Sequence, residues 1–226
     1  MEANELAFFG KIAAGVTHEI RNVLATINES NGLMADLLEV LKGTPFVHMD
    51  KFQRSIGRIE EQVRRGVEIA QSFNRFSHSV DHAFVHVDLN EIVGRTVALA
   101  AHFCRLRNVE LKATVCDQPI MLFTNAFRVQ MALTRAMEAL LACRSGEGTI
   151  SLATKGDHDP PSLDVRFVSE AGEGVSTEAL AQSGEWREFE ELASIVDIRY
   201  QWRAPGGGLA MFFCRAPARG QPAESK

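Results

Sequence analysis

Apolar residues recur along the first part of this chain at Ile12, Val16, Ile20, Val23 or Leu24, and Ile27, and the stripe continues through Met34, Leu38 and Leu41. A three-to-four-residue step of this kind marks one buried face of an α-helix, predicted over 5–41. Gly43, Thr44 and Pro45 end it, because proline lacks an N–H and disfavours helical backbone in the residue before it. A second helix is predicted over 50–78, with Phe52, Ile56, Ile59, Val63, Val67, Ala70, Phe73 and Phe76 as its stripe and Arg54, Arg58, Arg64 and Arg65 on other faces. Two such helices joined by a short turn make an antiparallel hairpin, and one hairpin alone cannot cover two apolar stripes. Pairing of two hairpins into a four-helix bundle covers them. Folding of the hairpin onto the rest of its own chain is the other solution.

Past a polar connector over 79–85 the pattern becomes mixed. His78, His82 and His86 step by four, which on a helix would align them for a metal ion. Val85, His86, Val87, Asp88 and Leu89 alternate like a strand, however, so the three are read as solvated linker residues and no metal site is expected. Asp88 and Asn90 can cap a helix over 91–105, followed by an alternating strand over 109–115. A strongly apolar helix is predicted over 127–143, a turn at Gly146, Glu147 and Gly148, strands over 149–154 and 163–168, and a last helix over 185–196. Strands over 198–203 and 209–215 are turned by Pro205, Gly206, Gly207 and Gly208. The fold class is therefore α+β: a helical hairpin over 1–80, an α/β sandwich over 86–217, and a loose polar tail over 218–226.

Composition narrows the partners. A chain of 226 residues with 46% hydrophobic content can bury an ordinary core, and its net charge of −5 argues against a general nucleic-acid binder. Cys104, Cys116, Cys143 and Cys214 form no C-x-x-C pair and are expected to be reduced core residues. No apolar run approaches the ~20 residues needed to cross a bilayer. The start Met1-Glu2-Ala3-Asn4-Glu5 lacks the basic lead of a signal peptide. A cytoplasmic protein is expected, with no membrane partner and no sensor domain ahead of the first helix.

The candidate chemistry sits on that first helix. His18 lies two residues from both Val16 and Ile20, so at about 100° per residue it faces away from the stripe. Glu19 follows it, and Asn22 lies one turn further along the same face. A neutral imidazole can attack through one nitrogen while the carboxylate beside it orients the other and takes its proton. The same residues also describe an ordinary solvated surface pair. The wording of the motif separates these readings: His18-Glu19-Ile20-Arg21-Asn22, preceded by Gly15-Val16-Thr17 and followed by Leu24, resembles the H-box of sensor histidine kinases of the HisKA type. That resemblance implies a homodimeric four-helix bundle with His18 as phosphoacceptor. It gives Glu19 the role of base or orienter, and Asn22 that of positioning water for dephosphorylation of a regulator. Arg21 is a candidate phosphate contact. Val23 stands where the family has proline, so the helix should run unkinked.

The second half resembles the ATP-binding domain of the same family, with departures. The family helix Q-x-x-x-N-x-x-x-N-A holds magnesium through an Asn; here Gln130 opens it, Thr134 takes the middle site, and Glu138, before Ala139, takes the Asn site. The D-x-G-x-G motif that recognises adenine is represented by Glu170, Gly172 and Gly174, with Glu173 between the glycines. Residues 175–191 contain no glycine-rich run to aim backbone amides at phosphates, and Gly206 to Gly208 precede a strand rather than a helix. The expectation is a pseudokinase domain behind an intact H-box: a histidine phosphotransferase of a two-component phosphorelay, forming phosphohistidine at His18 between the aspartates of response-regulator receiver domains. Magnesium would come from the regulator, with no cofactor, ATP included, held by this chain. The alternatives are a working kinase that phosphorylates His18 with ATP through Glu138 and Glu170, and a non-catalytic dimeric scaffold.

Overall fold

The computed structural model describes residues 3–40, 49–79, 84–144, 146–169, 175–203 and 208–214. Their contacts cluster into two units, Met1–Arg75 and Phe76–Lys226.

The first unit holds helix α1, Ala3–Val40, and most of helix α2, Met49–His78. α1 runs without a break past Val23, as a helix free of proline should. Ile12, Val16 and Val23 are buried, whereas Leu24 is 60% exposed, so the apolar face passes through Val23. The helices are antiparallel: Phe9 meets Phe73 at 6.1 Å between ring centroids, and further along Glu19 meets Arg65. Gly66 lets α2 come close there, since a Cβ at Gly66 would fall 3.2 Å from Val23 Cγ1. The predicted single stripe of α2 divides into two. Phe52, Ile59 and Phe73 are half-buried, while Ile56, Val63, Val67 and Ala70 are exposed. Eight residues spread over 25 positions drift around a 3.6-residue helix, so they cannot share one contact line.

The second unit is an α/β sandwich. Strand β1, Val85–Asp88, pairs antiparallel with β3, Met121–Thr124. A five-stranded sheet has the order β2-β4-β5-β7-β6, with β2 (Val109–Thr114) parallel to β4 (Gly148–Lys155). The remaining neighbours, β5 (Ser162–Ser169), β7 (Gly208–Phe212) and β6 (Arg199–Arg203), are antiparallel. Helices α3 (Leu89–Arg105), α4 (Ala126–Cys143) and α6 (Gly184–Ile195) share the core with one face of this sheet. α4 is its centre: Val129, Ala132, Leu133, Ala136, Ala139 and Leu140 are fully buried. Asn125 caps α4 by accepting from the Arg128 amide, and Asp88 Oδ1 ties the start of α3 to the residue before β3 by accepting from the amides of Asn90 and Ile120.

Two elements escape the sequence pattern. β3 is a short strand whose burial alternates only over four residues, and α5, Thr177–Gln182, is a single capped turn and a half, too short to show a period. The last strand ends at Phe212 rather than 215. Among the cysteines only Cys104 is a buried core residue, where burial pushes its thiol up to about 11; Cys116 and Cys143 are half-buried and Cys214 is exposed. All four are free. Gly43 to Pro45, His82, the Pro205 to Gly207 part of the predicted turn and the 218–226 tail lie outside the described residues. Among the described residues no helix is long and apolar enough to cross a membrane, and no group of His, Cys, Asp and Glu could hold a metal ion.

Candidate functional site

α1 presents His18 to solvent, because its neighbours Val16 and Ile20 turn toward the hairpin interior. Asn22, one turn on and exposed as well, brings its amide nitrogen 3.2 Å from His18 Nδ1. One ring nitrogen is thus taken by a side chain of the same helix, and Nε2 is the ring atom directed away from it. An amide offers Nδ1 either group. With Nδ2 as donor the ring proton sits on Nε2; with the amide turned over, Oδ1 accepts from Nδ1–H and Nε2 carries the lone pair a nucleophile needs.

Glu19 points elsewhere. It is buried, and its Oε2 accepts from Arg65 Nη2 at 2.5 Å. A carboxylate taken out of water needs such a partner, so the ion pair anchors the helical turn that carries His18. Arg21 is exposed on the same turn of α1. The structure therefore brings His18 and Asn22 into contact, and places Glu19 and Arg21 on adjacent faces. Asn22 was legible from its spacing to His18; Arg65, 46 positions from Glu19, was not.

On α4, Gln130, Thr134 and Glu138 make a buried polar line at four-residue steps. Thr134 Oγ1 donates back to the Gln130 carbonyl, a bond internal to the helix. Glu138 Oε2 accepts from Arg135 Nη1 at 2.7 Å, and Arg135 Nε lies 2.7 Å from Glu188 Oε2 on α6, a contact of charge without an aligned hydrogen bond. The Gln130 side-chain amide is buried with no hydrogen-bond partner among the described residues. The carboxylate at the metal-facing position is satisfied by a guanidinium, and binding a cation there would cost that pair. The span where phosphates would be wrapped is helical instead: Ser176 caps α5 and Ser183 caps α6, each through its side-chain oxygen. Glu170, Gly172 and Gly174 lie outside the described residues.

No family model matches the sequence. The chain is 25% identical over 207 residues to the sensor histidine kinase ZraS of Klebsiella oxytoca, which covers 92% of this chain and 40% of that protein. A protein of Shewanella frigidimarina whose name describes it as a sensor is 24% identical over 199 residues, 79% of this chain and 30% of that one. The chain thus spans less than half the length of the curated relatives it matches. Among solved structures, the histidine kinase AdeS of Acinetobacter baumannii aligns with a TM-score of 0.47 at 11% identity, over 88% of this chain and 98% of that one. The catalytic domain of the histidine kinase ThkA aligns with a TM-score of 0.48 at 12% identity, over 61% and 100%.

Proposed function

From a histidine-kinase-like core, helical hairpin followed by α/β sandwich, we propose that this chain is a homodimeric histidine phosphotransfer protein of a two-component relay. The observation that carries the reading is a contrast between its two halves. His18 stands in solvent with Nδ1 engaged by Asn22, while Glu138, at the α4 position where the family's magnesium-holding Asn would stand, is engaged by Arg135.

In the transfer, Nε2 of His18 attacks the phosphorus of a receiver domain's aspartyl phosphate, the P–O bond to the aspartate breaks, and the carboxylate leaves. The Nδ1 proton stays in a hydrogen bond to Asn22 Oδ1. The ring becomes positive as the P–N bond forms, and Glu19, paired with Arg65, anchors the helical turn that carries it. Arg21 offers a cation to the phosphoryl oxygens. Magnesium held by the receiver domain offsets charge on those oxygens. The reverse sequence delivers the group to a second receiver, and with Asn22 turned toward water the same site supports dephosphorylation.

The test is direct. The full chain mixed with a receiver domain carrying labelled phosphoryl becomes labelled, and His18→Gln does not. Labelled ATP with magnesium leaves the wild type unlabelled. Labelling from ATP would establish an autokinase, and no labelling from any phosphorylated receiver would leave a scaffold.

A further inference from the structure

The five-stranded sheet has two faces, and one of them carries the core. Leu163, Val165 and Phe167 of β5 are fully buried on that side, and the alternate residues Asp164 and Arg166 point to the other. The register lines that second face up in rows. Lys112, Ser151, Arg166, Gly208 and Arg203 are successive partners across the five strands. The next row sets Asp164 between Ala153 and Ala210, and the one beyond contains Lys155, Ser162, Phe212 and Arg199. In a chain of net charge −5, this face gathers Lys112, Lys155, Arg166, Arg199 and Arg203 against Glu110 and Asp164.

Asp164 is the organising residue. It is buried, and its Oδ2 lies 2.7 Å from Lys155 Nζ, 3.3 Å from Arg203 Nη1 and 3.5 Å from Arg166 Nη2. One carboxylate cannot neutralise three cations; it fixes their positions and leaves a surplus of positive charge. Their side chains remain 39%, 41% and 51% exposed for Lys155, Arg203 and Arg166, so that surplus faces solvent. Gly208 is part of the construction, because a Cβ there would fall 2.8 Å from Arg166 Cγ and lift the arginine stem off the sheet.

We propose that this face docks an acidic segment of a partner protein, with carboxylates seated on Lys155, Arg166 and Arg203 above Asp164. Charge complementarity selects the sign of the partner, and the shape selects its class. The cations stand on neighbouring strands above small residues, so a lone oxyanion would stay in water and be screened, whereas a protein segment with several carboxylates meets them together. A long polyanion such as nucleic acid is disfavoured by the negative chain as a whole, and Phe212 is the one aromatic residue in these rows, too few for base stacking. The inference goes beyond the phosphotransfer reading and does not need His18.

The experiment measures fluorescence anisotropy of a labelled decaglutamate peptide titrated with the full chain at low salt. The wild type binds, added salt weakens binding, and Arg166→Gln/Arg203→Gln weakens it roughly tenfold while Arg166→Lys/Arg203→Lys retains it. Lys155→Gln gives a smaller loss in the same direction and covers the case in which the double variant fails to fold, which its thermal transition reports. His18→Gln binds as the wild type does. Failure of the wild type to bind, equal binding by the glutamine variants, tighter binding of a ten-nucleotide oligo-dT, or full displacement by inorganic phosphate at millimolar level would each overturn the proposal.

Discussion

The pairing of Asn22 with His18 makes ring orientation a property of one amide. Removing it in Asn22→Ala frees Nδ1 to find other partners, and transfer from a phosphorylated receiver is expected to slow on the order of tenfold, about 1.4 kcal/mol in barrier, without loss of the folded state. Rapid-quench measurement of the phosphorylated chain, with the thermal transition as control, checks this; an unchanged rate would leave Asn22 no part in transfer. A second residue reports on the other unit. Tyr200 is the one tyrosine of the chain, stacked edge-on against Trp186 and Phe189 with its hydroxyl donating to Glu190 at 2.7 Å. Burial, then the hydrogen bond and charge of Glu190, raise its pKa to about 12. A phenol whose folded pKa exceeds its unfolded value of about 10 favours the folded state below pH 10, and that contribution fades as pH rises through 12. Ultraviolet titration should therefore place the tyrosinate midpoint near 12 in the native chain. A midpoint near 10 would mean that the contact with Glu190 does not exist in solution.

Between the helices of the hairpin, Glu19 and Arg65 are the charged clasp. Arg65→Ala leaves a buried carboxylate without its guanidinium, which costs about 1–3 kcal/mol and is expected to lower the thermal midpoint of the hairpin unit. The double variant Glu19→Gln/Arg65→Met, which removes both charges, should recover part of that loss. A single substitution with no effect would place Glu19 in water. The elements themselves were readable where they are long. Helices α1, α2 and α4 and strands β4 and β5 match their predicted spans within a few residues, because each repeats its period often enough to be distinguished. α5 and β3 were not, since their positions are set by a cap and by a partner strand rather than by any repeat of their own.

Over the molecule as a whole, the exposed apolar residues of the hairpin call for a cover. Leu6, Leu24 and Leu38 stand 18 and 14 positions apart, near whole numbers of turns, and are each at least half exposed. Ile56, Val63 and Val67 form the outer line of α2. A second hairpin would bury both lines, so sedimentation velocity of the full chain should give a dimer, and Leu24→Glu/Val63→Glu a monomer. A wild-type monomer would remove the four-helix bundle from the proposed function. The sequence by itself determined the period of each long element, the α+β order and the exposure of His18, because these follow from spacing along one backbone. It also carried the departures at Thr134 and Glu138, which are plain substitutions within a motif. Only the tertiary structure decided which carboxylates are held and by what: Glu19 by Arg65, Glu138 by Arg135, Asp164 by three cations from three strands. Arg135 and Arg166 share the helix or strand of their carboxylate, but Arg65, Lys155 and Arg203 come from other elements, and a pairing across the fold leaves no period in the chain to read.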